Sequence, residues 1–82
     1  MLSEGDRSIL DVERDWWRHR APKARVVRER LGLSAASYHR LLNELIDRAD
    51  ALAYDPMLVG RLRRLRDARR RARFAGLSRR EL

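Results

Sequence analysis

Ala36, His39, Arg40 and Asn43 fall on one face of the segment "SAASYHRLLNELID" when each residue is turned by about 100° round a helix axis. Their chemistry is that of nucleobase edges. An arginine donates to the O6 and N7 atoms of guanine, and an asparagine pairs with the N6 and N7 atoms of adenine. Histidine can donate or accept. Alanine is small enough to let a helix approach closely or to touch a thymine methyl group. Asp47 lies on the same face and would repel phosphate, so it belongs where such a helix has left the groove.

A second set of residues suits the phosphate backbone. Between Arg61 and Arg73 the chain has eight arginines and one acid, Asp67. Residues 1–60 contain ten Lys and Arg against ten Asp and Glu, whereas residues 61–82 contain ten arginines and two acids, so the whole excess of +8 lies at one end. Such asymmetry points to a polyanionic partner. Arg61, Arg63, Arg64, Arg66, Arg70 and Arg71 are the candidate phosphate contacts in this segment. Lys23 and Ser34, each near a helix start, are two more, because helix N-termini attract anions. Four to six such contacts would give a log–log salt slope of roughly −4 to −5. Phosphate contacts hold and orient without reading sequence. A merely solvated, solubilising end is the plain alternative.

Other chemistries find little support. His19 and His39 are the only histidines, there is no cysteine, and no glycine-rich phosphate loop occurs. Acids such as Asp11 and Asp15 stand at salt-bridge spacing from Arg14 and Arg18. No enzymatic activity, metal or cofactor is expected. With 82 residues the chain is one small domain at most, near the size at which a single core is marginal. No apolar run reaches the length of a signal peptide or membrane span, so the expectation is a soluble, cytoplasmic, nucleoid-associated protein with no membrane partner.

The elements that must position these residues are all helical, since no strand-like alternation occurs. The first helix is predicted over about residues 4–20, with Ser3 and Asp6 at capping-box spacing and Ile9, Val12, Glu13 and Trp16 on one face. Trp16 and Trp17 point about 100° apart and should meet different neighbours. Pro22 suits a first helical position and Gly32 a left-handed stop, with Ala24, Val27 and Leu31 as the buried stripe between them. Ser34 caps the third helix, whose inner face carries Tyr38, Leu41, Leu42, Leu45, Ile46 and Ala49. Asp55 and Pro56 open a fourth helix to about Arg73, with a thin stripe of Leu58, Leu62, Leu65, Ala68 and Ala72. So many like charges should fray this helix unless a counter-anion is present. The fold class is therefore all-α: four helices with a central helix-turn-helix and a C-terminal arginine-rich helix. Residues 1–54 form the three-helix core and 55–82 the basic helix and tail. A small alanine commonly stands four residues before the turn glycine of such units, where this chain has Arg28, so either Val27 or Ala24 takes the packing role or the two helices cross at a wider angle than usual.

"WWRHRAPKARVVRERLGLSAASYHRLLNELID" followed by "ALAYDPMLVGRLRRLR" resembles a family of small actinobacterial proteins catalogued as a domain of unknown function. The residues that carry the likeness are Trp16, Trp17, Gly32, Ser34, Tyr38, Leu42, Asn43, Asp55 and Pro56. The resemblance implies a helix-turn-helix-like fold acting in transcription, with no ligand or enzymatic role to carry over. His39 stands where that family commonly has a second tyrosine.

Residues and resemblance together predict a DNA-binding bacterial transcriptional regulator. Its bases would be read by Ala36, His39, Arg40 and Asn43 and its phosphates gripped by the arginine helix. The partner is double-stranded DNA, and a homodimer could form through Leu58, Leu62 and Leu65 of the last helix. The rival reading is an adaptor docking on RNA polymerase, a sigma factor or another regulator, without sequence-specific DNA binding of its own. RNA is less attractive, because no aromatic platform for stacked bases is visible.

Overall fold

The computed structural model describes the backbone of residues 1–81 and the side chains of residues 1–75. Within these bounds the fold is all-α, with five helices where the sequence pattern predicts four. They are α1 (Glu4–Asp15), α2 (Lys23–Leu31), α3 (Ala35–Leu45), α4 (Ala49–Tyr54) and α5 (Pro56–Glu81), with a 3-10 turn at Trp16–His19.

The helix starts follow from local capping chemistry. The Ser3 hydroxyl accepts from the Asp6 N–H at 3.0 Å while the Asp6 carboxylate accepts from the Ser3 N–H at 3.1 Å, a reciprocal box. Ser34 accepts from the Ser37 N–H at 3.2 Å. Asp55 accepts from the Leu58 N–H at 3.3 Å, and Pro56 takes the first helical position, where its missing donor costs nothing. Pro22 lies one position earlier than predicted, capping α2 rather than beginning it.

Two helix ends differ from the sequence pattern. α1 stops at Asp15 instead of continuing to Arg20, because the Trp17 indole N–H donates to the Arg14 carbonyl at 3.0 Å and takes the acceptor that a further α-turn would need. The tightened turn ends on Arg20 in the left-handed region, at φ 50° and ψ 39°. α3 ends at Leu45, and Ala49 belongs to the unpredicted α4 and is exposed. The cause lies far along the chain: Arg63 of α5 donates to the carbonyls of Ile46 and Arg48, binding groups that a continued helix would have used.

The core is formed by Leu2, Ile9 and Leu10 with Val27, by Tyr38, Leu42, Leu45 and Ile46 of α3 and its cap, and by Ala51, Leu58 and Val59. It therefore continues past residue 54, where the sequence pattern places its end. Val27 takes the packing role left open by Arg28, and Ala24 is exposed, contrary to its predicted burial. On α5 the predicted stripe is buried only at its base. Leu62 is half-buried, Leu65 is 47% exposed, and Ala68 and Ala72 are exposed.

Two arginines clamp the layers from outside. Arg14 meets Asp11, Asp15 and Asp55, tying α1 to the start of α5. Arg48 meets Asp6 and Asp50, tying the α3–α4 turn to the start of α1. The terminal "LSRREL", with Ser78 and Glu81 at capping-box spacing, lies within α5 by its backbone up to Glu81, and its side chains lie outside the described residues.

Candidate nucleic-acid interface

α2, the turn Gly32–Ser34 and α3 form the helix–turn–helix segment. Gly32 adopts φ 68°, and its N–H donates to the Arg28 carbonyl at 2.9 Å, closing α2 so that α3 can leave at an angle. Burial of Tyr38, Leu42 and Leu45 fixes which side of α3 faces the core. The opposite residues Ala36, His39, Arg40 and Asn43 are all exposed, as is Asp47.

What holds that orientation is a three-residue cluster. The Tyr38 hydroxyl donates to Glu13 Oε1 at 2.6 Å, and Lys23 Nζ lies 2.6 Å from the same oxygen, over the Tyr38 ring at 5.5 Å from its centroid. Burial, and then the bond to Glu13, push the Tyr38 hydroxyl far above the ordinary tyrosine range, so it stays a donor. The sequence pattern places Glu13 on the inward face of α1 but carries no sign of this long-range role.

α3 and α5 do not pack face to face; an open groove of about 470 Å³ lies between them. His39 and Asn43 line it from α3, and Arg66, Arg69, Arg70 and Arg73 from α5. Leu42, Ile46, Leu62 and Leu65 supply its apolar lining, with Glu13 and Lys23 completing it. Ala36 and Arg40 do not line the groove.

The candidate phosphate contacts divide into two groups. Lys23 is paired with Glu13, Arg63 caps α3, and the Ser34 hydroxyl caps the same helix at its start. Arg66 is 17% exposed by side chain and paired with Asp47 at 2.6 Å and Asp67 at 3.3 Å. Asp47 is thereby neutralised at the C-terminal end of α3. The bond to Asp47 is the chief reason that Arg66 holds its proton beyond the usual range. These four have structural partners within the chain. Arg61, Arg64, Arg70 and Arg71 are exposed, as are Arg69 and Arg73, two groove-lining residues absent from the sequence-based set. Among the described residues no cluster of three or more His, Cys, Asp or Glu could hold a metal ion, and no helix is long and apolar enough to cross a membrane.

Residues 1–74 match the family described as "Protein of unknown function (DUF3263)". The chain belongs to this family. The match takes in α1 to α4 and the part of α5 that carries the groove arginines, so the DUF3263 unit contains the whole candidate interface. No curated protein and no solved structure matches the chain.

Proposed function

We propose that this DUF3263 protein binds double-stranded DNA as a helix-turn-helix protein and acts in transcriptional regulation. α3 enters the major groove with Arg40, Asn43, His39 and Ala36 toward the bases, while the exposed arginines of α5 hold phosphates. The observation that carries the reading is the shared groove: residues able to bond base edges and residues able to bond phosphates line one open channel. In this reading a phosphodiester strand lies between α3 and α5, with the base-reading helix on one side and the cationic helix on the other. With Arg63 and Arg66 engaged inside the chain, six exposed arginines remain on α5 for phosphate, Arg61, Arg64, Arg69, Arg70, Arg71 and Arg73, for a log–log salt slope of roughly −5.

The test is selection of bound duplexes from a random pool at two salt concentrations. A common sequence motif surviving the higher salt supports base reading. A pool that stays random at both salts, with salt-dependent retention, reduces the function to phosphate binding.

A second reading rests on Trp17, which is 61% exposed beside the half-buried Trp16. A large exposed aromatic suits docking on RNA polymerase, a sigma factor or another regulator. Capture of one of these by the intact chain, abolished in Trp17→Ala and accompanied by no duplex binding at low salt, would favour it.

A further inference from the structure

The net charge of residues 1–60 is zero, but the folded chain does not leave those charges mixed. Five aspartates, Asp6, Asp11, Asp15, Asp50 and Asp55, are gathered by Arg14 and Arg48. Some cations elsewhere in the same stretch are thus left without acidic partners. Three arginines, Arg20, Arg25 and Arg30, line a cleft of about 410 Å³ at the corner between the 3-10 turn and α2. The cleft's one acid, Glu29, pairs with Arg25 at 2.9 Å. Arg20 and Arg30 have no acidic partner among the described residues.

This cleft has no lining residue in common with the α3–α5 groove. Lys23, which lines the groove, and Arg25, which lines the cleft, lie about 200° apart round α2, so the helix presents one to each flank. The cleft is also set by backbone geometry. Arg20 is the one non-glycine residue with positive φ among those described, a conformation that L side chains disfavour, which ends the 3-10 turn and sets the entry to α2. Arg30 Nη2 lies 3.4 Å from His19 Nδ1, at the rim of the cleft.

We infer that the His19–Arg30 cleft is a second anion-binding surface that takes the phosphodiester backbone of a second DNA segment, so that one chain holds two duplexes. The inference rests on the DNA-binding reading above. The chemistry favours phosphate over base: guanidinium groups match phosphate oxygens two at a time, whereas Val26 and Ala21 are the only apolar lining and no Phe, Tyr or Trp lines the cleft. A second contact of this kind turns single-duplex binding into bridging, with the two sites joined through α2.

The test immobilises a short duplex, adds the full chain at low salt, and measures capture of a second, labelled duplex beside the affinity for one duplex. The expectation is capture by the native chain. Arg20→Ala with Arg30→Ala should capture about tenfold less while binding one duplex within about twofold of native. Arg20→Lys with Arg30→Lys, which keeps the charge and loses the paired donors, should capture more than the alanine pair and less than native, and thermal melts of both pairs check that the fold survives. Undiminished capture by the alanine pair would mean that two copies associate through another surface, and the inference fails. Equal losses of capture and single-duplex affinity would mean that both surfaces grip one duplex, which also overturns it. Binding of one duplex with no capture by the native chain rejects the second site and leaves the α3 reading standing. No binding of any duplex rejects both.

Discussion

The Tyr38 hydroxyl and the Glu13 carboxylate meet at 2.6 Å across 25 residues of chain, and this bond fixes the rotation of α3 about its own axis. Because Lys23 shares the carboxylate, one cluster joins α1, α2 and α3 beneath the exposed Arg40 and Asn43 face. Tyr38→Phe keeps the packing and removes one hydrogen bond to a charged group, so it should cost about 1.5–3 kcal/mol. Glu13→Gln should cost less than Glu13→Ala, which strands the buried hydroxyl. Denaturant unfolding measures all three, and Tyr38→Phe as stable as native would show that the bond does not hold α3.

Arg40→Ala with Asn43→Ala should weaken preferred duplexes by about 1–3 kcal/mol per lost base contact and leave random duplex nearly unchanged. Arg64→Ala, Arg70→Ala and Arg71→Ala together should weaken all duplexes alike and flatten the salt slope by about three. Fluorescence anisotropy across a salt series separates the two patterns. Equal losses on both kinds of DNA from the first pair would argue against base reading.

Arg63 should behave as a structural residue rather than a ligand contact. Removing it leaves the Ile46 and Arg48 carbonyls without their side-chain donor, for a loss of about 1–2 kcal/mol in Arg63→Ala, whereas the exposed Arg64→Ala should stay within about 0.5 kcal/mol of native. Chemical denaturation of the two neighbours gives the contrast directly.

Gly32→Ala meets no steric obstacle, since nothing lies within 4 Å of an added Cβ, yet the φ of 68° remains unfavourable for an L side chain. The expected loss is about 1–2 kcal/mol from conformation alone. Gly32→Asn should recover part of it, because asparagine tolerates the left-handed region. A shift in the thermal midpoint reads the difference.

Acid should unfold the chain through its aspartates. Asp6 is held below the ordinary carboxylate range chiefly by the Ser3 N–H, and Asp15 and Asp50 chiefly by bonds from Arg14 and Arg48. Groups whose folded pKa lies below the unfolded value contribute stability above the unfolded value, about pH 4, and lose it as pH falls through the folded one. The thermal midpoint should hold steady from about pH 7 to 5 and fall below about pH 4. Asp50→Asn should show a lower midpoint at neutral pH and a shallower acid decline.

Local chemistry made most of the fold readable. Ser3, Gly32, Ser34 and the Asp55–Pro56 pair each act within four residues of themselves, and the helix boundaries they mark stand within a residue or so. The leucine spacing that turns Tyr38 inward also turns Asn43 outward, so the exposed face of α3 could be named from the sequence. What could not be read depends on partners distant in the chain. No glycine or proline marks the end of α3, because the side chain that ends it comes from α5. The pairing of Arg66 with Asp47 and of Lys23 with Glu13 removes cations that look free in the sequence. Arg20, an ordinary residue by type, ends the 3-10 turn in a conformation its side chain disfavours.

α5 spans 26 residues, about 39 Å, yet among its described side chains the last buried one is Val59, and Asp67 to Ala75 are exposed throughout. Cohesion and attraction are thus carried by different turns of the same rod. Its base is anchored in the domain, and its far length projects as an outrigger whose cations can be added, trimmed or reversed with little effect on whether the domain stands. If α5 holds a polyanion as proposed, that affinity can drift over many substitutions without the fold resisting.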